Sequence, residues 1–147
     1  GGQVAVAQVA SNEIINAAAS YTTALGTYVV FKGNGTSCPA GQTGDLTAVR
    51  ITPTSPPGVV TAWCASQNGL GSPMVTTTDG SAQAIVWSVG AEGDQRLHGF
   101  DGDTGQVVYA GGGPGDALGS VRRYHTPILA KGRIFVGADG AVRALVR

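Results

Sequence analysis

The sequence predicts an all-β fold of about three repeated four-stranded antiparallel meanders. Three observations carry that expectation. Short β-branched and aromatic runs alternate with Gly, Pro, Asn and Asp along most of the 147 residues. The 24 glycines far exceed the usual share of about 7% and follow no collagen period. A common pattern opens at Thr22, Ser72 and Thr126, at spacings of 50 and 54. A period near 50 with four short strands per unit is the signature of propeller blades, which cover each other's faces by stacking radially.

Residues 1–19 read as an N-terminal strand or closure segment, because Val4 and Val6 alternate with small residues in Gln3–Val9 (QVAVAQV). Within it, Asn12–Ala19 (NEIINAAA) is the one helix-friendly stretch, with Ser11 or Asn12 as its cap. Residues 20–66 read as a blade containing the strands TYVVF (27–31), LTAVRI (46–51) and VVTAWC (59–64). Residues 72–110 read as a second blade, with PMVTT (73–77), AIVWSV (84–89), RLHGF (96–100) and QVVYA (106–110). Residues 124–147 read as a partial third blade, with TPIL (126–129), RIFV (133–136) and VRALV (142–146). The near-continuous apolar character of TYVVF and AIVW suits strands packed on both faces. The whole chain is thus one partial propeller domain.

Composition narrows the function. Charged residues make up 12% of the chain, and nine acids balance nine Lys and Arg. That leaves no electrostatic footprint for nucleic acid or an anionic membrane. No apolar run approaches the length of a transmembrane helix. Gly1-Gly2-Gln3 carries no basic n-region, so a signal peptide is expected to be absent or already removed.

The segment Gly99-Phe100-Asp101-Gly102-Asp103-Thr104-Gly105-Gln106-Val107-Val108-Tyr109 resembles the tryptophan-docking motif of quinoprotein (PQQ-type) propellers. That pattern is Ala-x-Asp-x-x-Thr-Gly-x-x-x-Trp, joining the third and fourth strands of a blade. Asp101, Thr104 and Gly105 match; Gly99 stands for Ala and Tyr109 for Trp. Gly105 supplies the turn's unusual dihedral, Asp and Thr oxygens tie down free N–H groups, and the terminal aromatic wedges between blades. The first unit keeps Ala48 and Trp63 but lengthens the connection with Pro53-Thr54-Ser55-Pro56-Pro57; the third has Ala144 and reaches Arg147 before the motif continues. The resemblance covers most of residues 20–147. Three units are fewer than the four to eight of propellers. The remaining blades are therefore expected from another chain, a symmetric partner or a region beyond this sequence.

Cys38 and Cys64, 26 residues apart, are read as a disulfide stapling a loop to the sheet edge, or else as two buried thiols. A bridge implies a periplasmic or extracellular location. Trp63, Trp87 and Arg123 are the candidates for a cofactor site: aromatic faces suit a planar quinone and Arg123 an anion. Interblade packing is the favoured reading of both tryptophans. Asp101 and Asp103 with Gly105 imitate part of a calcium loop, although the docking turn accounts for the same residues. His98 and His125 read as structural, since no acid or nucleophile sits at an interpretable spacing. Arg122, Arg123, Lys131 and Arg133 form a mild basic cluster, read as a solvated rim or an anion contact. The resemblance therefore implies a non-catalytic binding or scaffold segment of an exported propeller protein. Its alternatives are part of a PQQ-dependent alcohol or sugar dehydrogenase needing PQQ and calcium, and a structural subunit of an envelope or extracellular assembly.

Overall fold

A computed structural model describes residues 2–146. Sheet 1 contains β1 (Ala19–Thr23), β2 (Gly26–Lys32), β3 (Leu46–Ile51) and β4 (Val59–Ala65). Sheet 2 contains β5 (Met74–Thr76), β6 (Ile85–Val89), β7 (Leu97–Asp101) and β8 (Val107–Ala110). Sheet 3 contains β9 (Ile128–Ala130), β10 (Arg133–Ala138) and β11 (Ala141–Val146). Among the described residues one short 3-10 turn, Pro114–Asp116, sits between sheets 2 and 3. Each strand pairs antiparallel with its neighbour in sequence, so all three sheets are simple meanders. The chain is all-β, and its described sheets form a propeller-like arrangement that does not close.

Two hydrophobic clusters hold the sheets together. The first joins sheets 1 and 2 through Tyr28, Val30, Leu46 and Trp63 on one side and Val86 and Phe100 on the other. The second joins sheets 2 and 3 through Trp87, Val89 and Leu97 against Ile134 and Val136, with Leu118 and Val121 filling the gap from the connecting segment. The unbroken apolar run AIVW (84–87) is explained by its burial on both sides: Val86 points into the first cluster, and Trp87, with Val89 further along β6, into the second. A strand with both faces covered has no reason to alternate apolar with polar residues.

Several sequence expectations give way here. Residues 3–9 form no strand; Val4 and Val6 lie 68% and 73% exposed, and an isolated bridge of Ala10 to Gly35 is the nearest pairing. No helix forms over 12–19, because Ser11 and Asn12 bond to Asn34 across a loop instead of capping a turn. The first strand of sheet 1 is β1, whose ASYTT buries Tyr21 and Thr23 in strict alternation. Thr22 and Thr23 close that strand instead of opening it. First strands therefore begin at 19, 74 and 128, spacings of 55 and 54, more regular than the sequence pattern implied. Arg147 lies outside the described residues. No helix among the described residues is long and apolar enough to cross a membrane.

Candidate functional site

The β7–β8 turn is where sheet 1 grips sheet 2. Asp101 Oδ1 accepts bonds from the backbone N–H groups of Asp103 (3.1 Å) and Thr104 (2.9 Å) and from the Thr104 hydroxyl (2.7 Å). Those bonds fix the turn, and Gly105 closes it at φ +72°. The Gly102 carbonyl then accepts two bonds from sheet 1: the Tyr21 hydroxyl from β1 at 2.6 Å and the Trp63 indole N–H from β4 at 2.7 Å. Thr23 donates to Asp103 Oδ1 at 2.6 Å and Gln42 Nε2 to the Thr104 carbonyl at 3.1 Å. Trp63 lies so close over Gly105 that a Cβ there would sit 2.7 Å from its Cε3. Burial pushes the Tyr21 phenol up from its ordinary pKa, so it stays a neutral donor.

The aromatic that wedges between sheets 1 and 2 is thus Trp63, fully buried. Tyr109 does not wedge; it stays 36% exposed on β8, its ring tilted against Trp87 at 6.1 Å. Trp87 is buried between sheets 2 and 3, with its indole N–H on Thr76 Oγ1 at 2.9 Å. Both indoles are interior groups, with no face free to floor a planar cofactor. The Asp101 carboxylate serves the turn, and the Asp103 carboxylate accepts the Thr23 hydroxyl of sheet 1. Among the described residues no group of three or more His, Cys, Asp or Glu is placed to hold a metal ion. Cys38 and Cys64 form a disulfide, tying the 33–45 loop to β4.

A separate cleft of about 390 Å³ opens where the segments leading into the first strands converge. Glu13, Ile15 and Asn16 come from the segment before β1, Leu70 from the segment before β5, and Arg123 and Tyr124 from the segment before β9; Lys32 closes the side from the end of β2. One chain of hydrogen bonds stitches the three segments. Asn16 Nδ2 donates to the Leu70 carbonyl at 2.8 Å and to Ser72 Oγ at 3.2 Å, and the Ser72 N–H donates to the His125 carbonyl at 2.9 Å. Tyr124 holds φ at +65°, costly for a bulky side chain, and presents a ring that is 56% exposed.

The basic cluster resolves into ion pairs. The Arg123 Nε–H donates to Glu92 Oε2 at 2.8 Å, and that bond holds the Glu92 carboxyl below its ordinary pKa. Arg122 grips the Asp139 carboxylate in the same way, also lowering it. Lys131 and Arg133 are exposed on sheet 3. His98 Nε2 lies 2.8 Å from Asp94 Oδ2, and His125 Nε2 accepts the Gly137 N–H at 2.8 Å. Of the residues singled out individually in the sequence, Asn12 and Arg123 line this cleft. Asn16, Lys32, Leu70 and Tyr124 carried no signal, because they come from four separate segments and no spacing links them.

Comparison of the chain with family models, with curated proteins and with solved structures gives no match.

Proposed function

We propose that this chain is a non-catalytic binding or scaffold segment of an exported, quinoprotein-like β-propeller. The observation that carries the reading is the seating of Trp63 on the next sheet. Its N–H reaches the Gly102 carbonyl, its ring covers Gly105, and Ala48 stands opposite it across β3–β4. This is blade-to-blade docking by an Asp-x-x-Thr-Gly turn, the structural job the sequence resemblance implies for it. The Cys38–Cys64 bridge supports a periplasmic or extracellular setting, where such bonds persist. On this reading further blades come from another chain, a symmetric partner or more of the same polypeptide.

The alternative is a PQQ-dependent alcohol or sugar dehydrogenase. It separates from the binding reading by adding PQQ and calcium to the protein and recording quinone absorbance and dye-linked alcohol oxidation. The binding reading expects neither. Stoichiometric bound quinone with calcium-dependent oxidation would overturn it.

A further inference from the structure

We propose that the cleft between the three lead-in segments binds the zwitterionic head of a free amino acid with an apolar side chain. The inference rests on the binding reading above and deepens it by naming the ligand. Four features of the cleft lead to it.

The site is built before any ligand arrives. The bonds from Asn16 to Leu70 and Ser72, and from Ser72 to His125, fix all three segments against one another. A ligand therefore meets little of the ordering cost that weakens binding to loose loops. The volume of about 390 Å³ falls in the range of small-molecule sites.

Asn16 leaves one atom over. It is a buried residue whose Nδ2 makes two hydrogen bonds at its rear, while Oδ1 accepts none among the described residues. No polar side-chain atom described is both fully buried and unpartnered, so Oδ1 is open, and the cleft that Asn16 lines is where it opens. An immobilised carbonyl oxygen is an acceptor for a ligand N–H.

The charges are of both signs. Glu13 and Lys32 line the cleft, and neither forms an ion pair among the described residues; Arg123 is already neutralised by Glu92. A simple anion would meet the Glu13 carboxylate and a simple cation the Lys32 ammonium. A zwitterion satisfies both: its ammonium faces Glu13 and Asn16 Oδ1, and its carboxylate faces Lys32. Ile15, Leu70 and the strained, exposed Tyr124 supply the apolar wall for the side chain.

The test is calorimetric titration of the folded chain at low salt with L-phenylalanine, N-acetyl-L-phenylalanine and L-phenylalanine amide. Saturable binding of L-phenylalanine is expected, with each blocked derivative weakened about tenfold or more by loss of one charge-assisted contact. Glu13→Gln should weaken L-phenylalanine while leaving the N-acetyl compound nearly unchanged. Lys32→Met should do the same with respect to the amide. Circular dichroism checks that both variants fold. No saturable heat up to about 10 mM overturns the proposal, since such a Kd leaves under about 3 kcal/mol of binding. Equal binding of all three compounds, or binding indifferent to both variants, also overturns it. Quinone absorbance and oxidation do not involve this titration. A chain that fails to bind phenylalanine but takes up no PQQ loses only this inference. A chain that oxidises alcohol through PQQ loses the reading beneath it.

Discussion

Trp63 and Tyr109 occupy the same place in consecutive sheets. Trp63 stands opposite Ala48 across β3–β4, and Tyr109 opposite Gly99 across β7–β8. In both sheets the register slips at the very next residue, between Ala48 and Val49 and between Gly99 and Phe100. The local structure is therefore nearly identical. The burial is not: Trp63 is 0% exposed and Tyr109 36%. The difference lies in what each aromatic meets. Trp63 has the Asp101–Gly105 turn of the next sheet beneath it. Ala144 holds the equivalent place in β11, opposite Phe135, so the counterpart of Gly102 would be Arg147, outside the described residues. The two sites teach that the repeat supplies the aromatic, while the neighbouring turn supplies its energy.

Breaking that contrast should give the largest effect. Trp63→Ala is expected to destabilise the chain by about 3–5 kcal/mol, since it opens a cavity and leaves a two-donor carbonyl half served. Tyr109→Ala should cost less than about 1 kcal/mol, as is usual for partly exposed sites. Chemical denaturation of both variants gives the comparison directly. Equal losses would show that Tyr109 is docked in solution and that the asymmetry is wrong. A Trp63→Phe variant sharpens the result: it keeps most of the ring and removes the N–H bond to Gly102, so it should fall between the other two.

The disulfide widens the gap between the sheets. It closes a 26-residue separation in sheet 1, while the described residues contain no other cysteine pair. Loop-closure arguments put its contribution at about 3 kcal/mol. Reduction, or a paired Cys38→Ala and Cys64→Ala change, should lower the denaturation midpoint accordingly. Tryptophan emission, to which Trp63 and Trp87 both contribute, should still report buried indoles if the turn contacts, and not the bridge, hold the sheets in place.

Sheet 2 also departs from sheet 1 in a compensated way. Val30 faces Ala48 in sheet 1, and Trp87 faces Gly99 in sheet 2. A Cβ on Gly99 would lie 2.8 Å from Trp87 Cζ3, so the larger indole requires the smaller partner. Gly99→Ala should therefore destabilise by about 1–3 kcal/mol through overpacking. Trp87→Val should cost more, by cavity formation. The double variant recreates the sheet 1 pair, and its loss should fall short of the sum by about 1 kcal/mol or more. Simple additivity would mean that the two positions do not share space.

Much of this was legible in the sequence, for identifiable reasons. LTAVRI (46–51) coincides with β3 because a β-branched run bounded by breakers has few other options. Asp101, Thr104 and Gly105 announced their turn, since each is needed for a specific bond or dihedral. Even the Gly99 departure carried information, once Trp87 was placed beside it. The cleft was not legible. Glu13, Lys32, Leu70 and Tyr124 meet only through the stacking of sheets, and that is a long-range outcome. Residues 3–9 misled because alternation of Val with small residues fits a strand anywhere, while pairing requires a free edge within reach.

The smallest expected effect concerns the junction of sheet 3 with the cleft. His125 Nε2 accepts the Gly137 N–H, and its ring lies over Gly137, where a Cβ would approach Cε1 to 3.0 Å. That bond needs a neutral ring. Partial burial lowers the His125 pKa from its ordinary value, so the unfolded chain binds the proton more readily than the folded one. The stabilising contribution is therefore complete above the unfolded pKa, near 6.5, and is lost as pH falls from there through the lower folded value. Denaturation midpoints should decline between neutral and mildly acidic pH, and His125→Gln should flatten that slope, because a glutamine oxygen accepts the Gly137 N–H without titrating. Tryptophan emission, from Trp63 and Trp87 together, should report the same global midpoint at neutral pH in both proteins. The mirror-image result, a slope unchanged in His125→Gln, would show that the pH dependence does not arise at the His125–Gly137 bond.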